Sequence, residues 1–181
     1  GKAMQCVGII GTAVGADVFR NDALQVLQAL MPAMQCSGGQ FPEGYFEYFA
    51  PAAAQISHAL KEQFAPFLPT VIPPLLHTLG MATEVSITEV DASTELSGTG
   101  AQASYQTASG QTMESTIFQA RGGNKMRLTM NTTAVMEKQM AAKTLFEYIN
   151  ALGVTMVEYI EAAAEKILPL VIFKYSEDVR N

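Results

Sequence analysis

An all-α solenoid of antiparallel helix pairs, carrying a strand-containing insertion, is the architecture these 181 residues predict, on three observations. First, an apolar helical stretch, a short break led by a large apolar side chain and a second apolar helical stretch recur three times. Second, the breaks are anchored by Phe19, Phe64 and Met156, which stand 45 (64 − 19) and 92 (156 − 64) residues apart, so the second interval is close to twice the first. A period of ~40–47 residues with two helices per unit is that of HEAT and armadillo repeats. Third, the helical period disappears between residues 82 and 133, where Ser, Thr, Gly and Gln dominate. The doubled interval is therefore one repeat plus an insertion, because a missing repeat would need two helices where the sequence offers glycine and alternation. Such an architecture works through an extended surface, so function is sought on a face.

The first unit, about residues 1–37, places Ala3, Val7, Ile10 and Val14 on one helical face, and Gly15 supplies the stop. Its second helix, Asp22–Met34, puts Leu24, Leu27, Met31 and Met34 on the packing side and Asp22, Gln25 and Gln28 on the other. The second unit, about 41–81, steps through Phe46, Phe49, Ala53, Ile56 and Leu60. Pro51 inside this run predicts a bend. Its second helix starts near Pro66 or Pro69 and carries Leu68, Val71, Ile72, Leu75, Leu76 and Leu79, with distortion expected at Pro73 and Pro74. The third unit, about 134–176, opens its second helix with Thr155 and Glu158 spaced as a capping box, and Pro169 predicts a kink. Lys143 and Glu147 are placed for an i,i+4 ion pair. In the insertion, 82–133, a flexible tract is expected over 91–111. Period-two runs at Glu84–Val90, Ser115–Arg121 and Lys125–Met130 predict a hairpin and a possible third strand. Residues 177–181 read as the start of a further repeat, and the whole as a piece of a longer solenoid.

With 49% hydrophobic residues the chain buries a core, and a net charge of −6 with only 11 Lys and Arg argues against nucleic acid as a partner. A basic partner fits better. Cys6 and Cys36 lie at helical positions in the first unit and read as buried, reduced thiols. No run approaches the ~18 apolar residues of a membrane span and no basic segment precedes an apolar one at the start, so a soluble intracellular protein without membrane contact is expected.

No catalytic, cofactor-binding or metal-ligating constellation stands out. Gly8, Gly11 and Gly15 lack the strand that a dinucleotide fingerprint needs and read as close helix packing. His58 and His77 have no ligand-spaced companions for zinc. No Ser, His and Asp occupy a recognisable elbow. Asn131-Thr132-Thr133 fits the glycosylation pattern, but no secretory signal accompanies it. These absences make the chain a non-enzyme with no cofactor. The candidate site is a protein-binding face on the second helices: Asp22, Gln25 and Gln28 in the first unit, Thr70 and His77 in the second, and Glu158, Glu161 and Glu165 in the third. Its polar, acidic character suits a basic peptide.

Ile10-Gly11-Thr12-Ala13-Val14-Gly15, Phe64-Ala65-Pro66-Phe67-Leu68-Pro69, Ile167-Leu168-Pro169-Leu170 and Glu177-Asp178-Val179-Arg180 resemble the central HEAT repeats of the importin-β (karyopherin-β) superfamily, most of all its karyopherin β3, or importin β3, branch. The resemblance extends over most of the chain, including an acidic, strand-containing insertion at 82–133. It implies a nuclear transport receptor that shuttles between cytoplasm and nucleus. Such receptors bind cargo proteins through nuclear-localisation segments on the concave face of the second helices. They bind Ran-GTP mainly near the amino-terminal repeats, and Phe-Gly nucleoporins on the convex face of the first helices. The family's cargo-binding ladder uses acidic and Asn side chains; here Asp22 and Glu158 stand at comparable places with Thr70 between them. The alternative reading is a HEAT scaffold subunit of a phosphatase or chromosome-associated complex. Exposed solenoid ends are also expected to favour self-association.

Overall fold

The structure, a computed structural model, describes residues 2–34, 44–83, 85–90, 102–108, 110–120 and 123–172. It divides into two compact units, Gly1–Gly80 with Lys138–Asn181, and Met81–Glu137.

The helical unit begins with α1 (Lys2–Val14) and α2 (Ala16–Met34), separated by Gly15 alone. Gly15 has φ +81°, a conformation that costs glycine little, so the predicted stop is where the sequence placed it. The expected break at Phe19 is absent: Phe19 lies in the second helix, buried, with its ring against α1. The packing face of α1 also differs from expectation. Ala3, Ile10 and Val14 are exposed, and the buried positions are Gly8 and Gly11. A Cβ on Gly11 would overlap the Phe19 ring and one on Gly8 would overlap Gln55 of the next first helix, so α1 packs through its glycines. Close approach at small residues displaces the larger apolar side chains to the flanks. Cys6 is likewise exposed, contrary to the buried thiol expected, and Cys36 lies outside the described residues.

The next pair opens with a π-helical turn, Tyr45–Phe49, closed by Ala50 N–H donating to Tyr45 O, and continues as α3 (Ala50–Leu60). Pro51 thus sits in the first turn of an α-helix, where its missing N–H is harmless, and the expected irregularity falls just before it. A 3-10 segment, Lys61–Phe67, carries buried Phe64 into α4 (Leu68–Gly80), which remains helical across Pro73 and Pro74. Phe64 stacks at 5.5 Å on Tyr148, and both are fully buried.

The last pair is α5 (Thr132–Leu152), a 3-10 turn Gly153–Met156, α6 (Val157–Ile167) and a 3-10 turn Leu168–Ile172, the change of helix type falling at Leu168, just before Pro169. The predicted capping box does not form. α6 begins after Met156 with no side-chain cap, because Thr155 lies inside the preceding 3-10 turn and Met156, which has no oxygen to accept from the first backbone N–H groups, takes the N-cap position. Lys138, within α5, donates from Nζ to Leu79 O at 3.1 Å, and burial lowers its pKa.

The second unit contains a four-stranded antiparallel sheet, β1 (Val85–Val90), β2 (Gln102–Gln106), β3 (Thr112–Gln119) and β4 (Lys125–Asn131), in the order β1-β4-β3-β2. The hairpin between β3 and β4 turns at Gly123, φ +86°, with Ala120 N–H donating to Asn124 O. The tract expected to be flexible to residue 111 instead forms β2 and a tight turn, closed by Thr107 N–H to Gln111 O and by Gly110 at φ +80°. Residues 91–101 and 177–181 lie outside the described residues.

Candidate protein-recognition surface

α4 and α6 pack directly on one another. Their inner faces are apolar, Leu68, Val71, Ile72, Leu75 and Leu79 on α4 and Ala163 on α6. The carboxyl ends lie side by side, since a Cβ on Gly80 would come within 3.3 Å of Lys166 Cδ. Helical spacing then turns Glu158, Glu161 and Glu165 outward together, all three exposed. On α4, His77 is exposed and Thr70 half-buried. The predicted members of the second and third pairs therefore stand on neighbouring helices. Asp22, Gln25 and Gln28 are also exposed, but on α2, which packs against α1 and α3.

The electrostatics of the α6 face are simple. Glu165 accepts a hydrogen bond from Lys166 Nζ at 2.9 Å, which lowers its pKa, the nearby positive charge adding to the effect. Glu158 and Glu161 have no ion pair among the described residues. Two uncompensated carboxylates beside a paired one make a negative stripe. Along the same helix runs an exposed apolar row, Val157 and Ile160, continued by Leu168 in the turn beyond. Acidic and apolar positions adjoin, which suits a partner that is basic and apolar at once.

A second feature escaped the sequence reading. α3 and α5 border a cavity of about 150 Å³, with Pro51, Ala54 and Met140 as apolar lining and His58, Lys143 and Glu147 as polar lining. Glu147 Oε2 lies 2.9 Å from His58 Nε2, and each side chain is about one-third exposed. This displaces the i,i+4 pair expected between Lys143 and Glu147: the carboxylate turns to the neighbouring helix because an imidazole stands closer. Gln55 Oε1, also at this cavity, is buried with no hydrogen-bond partner. The signal was present in the repeat interval. An offset of 92 (156 − 64) maps His58 onto Asn150, one helical turn from Glu147, so the two first helices bring them together. Among the described residues, no three His, Cys, Asp or Glu side chains cluster as a metal site would require.

No family model matches the chain. Importin subunit beta-3 of Saccharomyces cerevisiae is 27% identical over 181 residues, covering 99% of this chain and 15% of the relative. Probable importin subunit beta-4 of Schizosaccharomyces pombe is 28% identical over 183 residues, covering 100% of this chain and 16% of the relative. Among solved structures, that of Kap121p superposes with a TM-score of 0.73 at 23% identity, over 99% of this chain and 16% of that one. Kap121p bound to Ste12p superposes with a TM-score of 0.69 at 25% identity, with the same coverage. The chain spans 15–16% of the curated relatives it matches over its whole length, and it is similar there to importin beta subunits.

Proposed function

We propose that this chain is part of a nuclear transport receptor, a non-enzymatic HEAT-repeat solenoid that carries cargo through the nuclear pore by protein recognition. Its three helix pairs, about 1–37, 41–81 and 134–176, are consecutive repeats, with 82–133 inserted between the second and third. The observation that carries the reading is the packing of α4 on α6 with the carboxylates of Glu158, Glu161 and Glu165 turned outward. Solved structures of Kap121p contain Ste12p, Pho4p or the extreme C-terminus of the phosphatase Cdc14p. By analogy the acidic faces of second helices, with Asp22, Gln25, Gln28, Thr70 and His77, receive basic cargo segments.

The physics suits transient carriage. An exposed ion pair contributes about 0.2–1 kcal/mol, so affinity comes from several carboxylates acting together and weakens with salt. Ran-GTP, binding elsewhere in the intact receptor, regulates cargo by linkage: each alters the other's affinity by the same factor. The cavity between α3 and α5, with Pro51, Ala54 and Met140 on its walls, is the place on the first helices where a nucleoporin Phe would lodge. Shuttling between cytoplasm and nucleus follows from these contacts.

The test is charge reversal of Glu158, Glu161 and Glu165 to Lys in the full-length receptor, read by cargo pull-down and by Ran-GTP titration. Cargo retention should fall several-fold while circular dichroism is unchanged. Undiminished retention, or a stable multi-subunit complex indifferent to Ran-GTP, would favour the scaffold reading instead.

A further inference from the structure

The sheet separates charge between its two faces. Its register, Ile87 opposite Leu128, Glu89 opposite Met126, Glu114 opposite Met130 and Phe118 opposite Met126, places Val85, Ile87, Met126, Leu128, Met130 and Phe118 on one face. The ionisable residues of that face are Glu89 and Glu114. Lys125 and Arg127, the basic residues of the strands, both alternate to the opposite face. The acidic face is open: Ile87 is 58% and Phe118 40% exposed, while Met126, Leu128 and Met130 are half-buried by their neighbours. A contiguous apolar field of this kind on a surface marks an interaction site. Two methionines in its centre, each unbranched with three rotatable bonds, let it adapt to more than one shape.

We infer that this face docks an extended segment of a partner protein that alternates apolar side chains and carries Lys or Arg at both ends. Charge selects the occupant. The chain's own residues 91–101 contain Asp91, Glu95 and a single large apolar residue, Leu96, and no Lys or Arg. They would set acid upon acid. A second copy would do the same, within a chain of net charge −6. A basic partner meets both carboxylates and covers the apolar field between them. Glu89 and Glu114 are two strands apart and, by register, four residues apart along the strands. That diagonal is roughly 16 Å at ordinary sheet spacings, so two basic residues six apart, which share one side of an extended segment with the apolar residues alternating between them, reach both carboxylates through their flexible stems.

This deepens the protein-recognition reading by adding a second surface, and rests on it only in that the partner is a protein. The probe is a fluorescein-labelled peptide, Gly-Lys-Thr-Val-Thr-Leu-Thr-Lys-Gly, whose two Lys, Val and Leu share one side when extended, titrated by anisotropy against the 181-residue chain. Glu89→Lys should weaken binding about five-fold, the upper end for an exposed ion pair. Ile87→Ser should weaken it comparably, and Arg127→Glu, on the other face, should leave it unchanged. All three sites are exposed, and circular dichroism checks the fold. Absence of binding, equal binding of the peptide with both Lys replaced by Glu, or equal loss in Arg127→Glu overturns the inference. Self-association that Ile87→Ser abolishes overturns it too, since a second copy would then be the occupant. Reversal of Glu158, Glu161 and Glu165 should not affect this peptide, so the two surfaces fail independently.

Discussion

The helical unit encloses a core of large apolar side chains and leaves others, such as Ile10, Val157, Ile160 and Leu168, open on its flanks, whereas the sheet unit buries few of its large apolar strand residues. Phe19, Phe46, Phe64, Leu75, Leu145 and Met156 are all nearly inaccessible, and three pairs of helices interlock around them. In the sheet, Ile117 is the large apolar strand residue that reaches the same degree of burial, while Ile87 and Phe118 stand open. The helical unit is therefore held by burial, at about 25 cal/mol per Å² of apolar surface. The sheet is held more by register and by polar ties at one corner. There Asn131 Oδ1 accepts from Ala134 N–H at 3.0 Å, capping α5, while Thr133 Oγ1 accepts from Thr112 N–H at 2.8 Å and Thr132 donates to Thr112 O at 3.1 Å. The helical unit thus combines a rigid core with exposed contact area on α6, while the sheet offers contact area with little core of its own.

The sharpest way to break this contrast is to truncate one phenylalanine in each unit. Phe64→Ala should cost about 3–5 kcal/mol, as for other buried aromatics, and Phe118→Ala less than about 1 kcal/mol, both read by urea unfolding of the chain. Equal losses would mean that the sheet shares the core's role. A smaller effect tests the corner. Asn131→Ala should remove about 1 kcal/mol and raise amide exchange at Ala134, because a side-chain N-cap is lost. This assigns the Asn-Thr-Thr sequence a structural use, consistent with Asn131 being only 3% exposed.

The smallest expected effect concerns Tyr148. Its hydroxyl is buried without a hydrogen-bond partner, and burial, reinforced by Tyr45, raises its pKa well above 10.0. Below pH 10 the folded and unfolded chains both keep the proton. Above it the unfolded chain releases the proton and the folded chain retains it, so stability falls as pH rises. Tyr148→Phe should remove that alkaline loss and stabilise the chain by up to about 1 kcal/mol at neutral pH, since an unsatisfied polar group disappears. A destabilised variant would reveal a partner for the hydroxyl.

Sequence pattern conveyed the helices more readily than their contacts. The apolar steps of Phe46 to Leu60 and of Leu68 to Leu79 announce burial because nothing smaller competes for the interface. On α1 the rule inverted: Gly8 and Gly11 admit the backbone so closely that Ile10 and Val14 are pushed outward, and periodicity of apolar residues alone carries no such information. β2 was illegible because Gln, Ala and Ser have low strand propensity, and its pairing with β3 comes from the turn at Gly110. For the candidate site, the outward set of Glu158, Glu161 and Glu165 followed from helical spacing. The His58–Glu147 contact required knowing that two first helices adjoin, a long-range fact that only the repeat interval hinted at.

The central claim, that the acidic face of α6 recognises basic segments, is tested most directly by calorimetric titration of a cargo-derived lysine-rich peptide into the full-length receptor. Wild type and the Lys triple variant at Glu158, Glu161 and Glu165 are compared at low and physiological salt. The account predicts a wild-type affinity that declines with salt and a variant that binds at least about ten-fold more weakly at low salt, where screening is least. Matching affinities and matching salt slopes in the two proteins would contradict it.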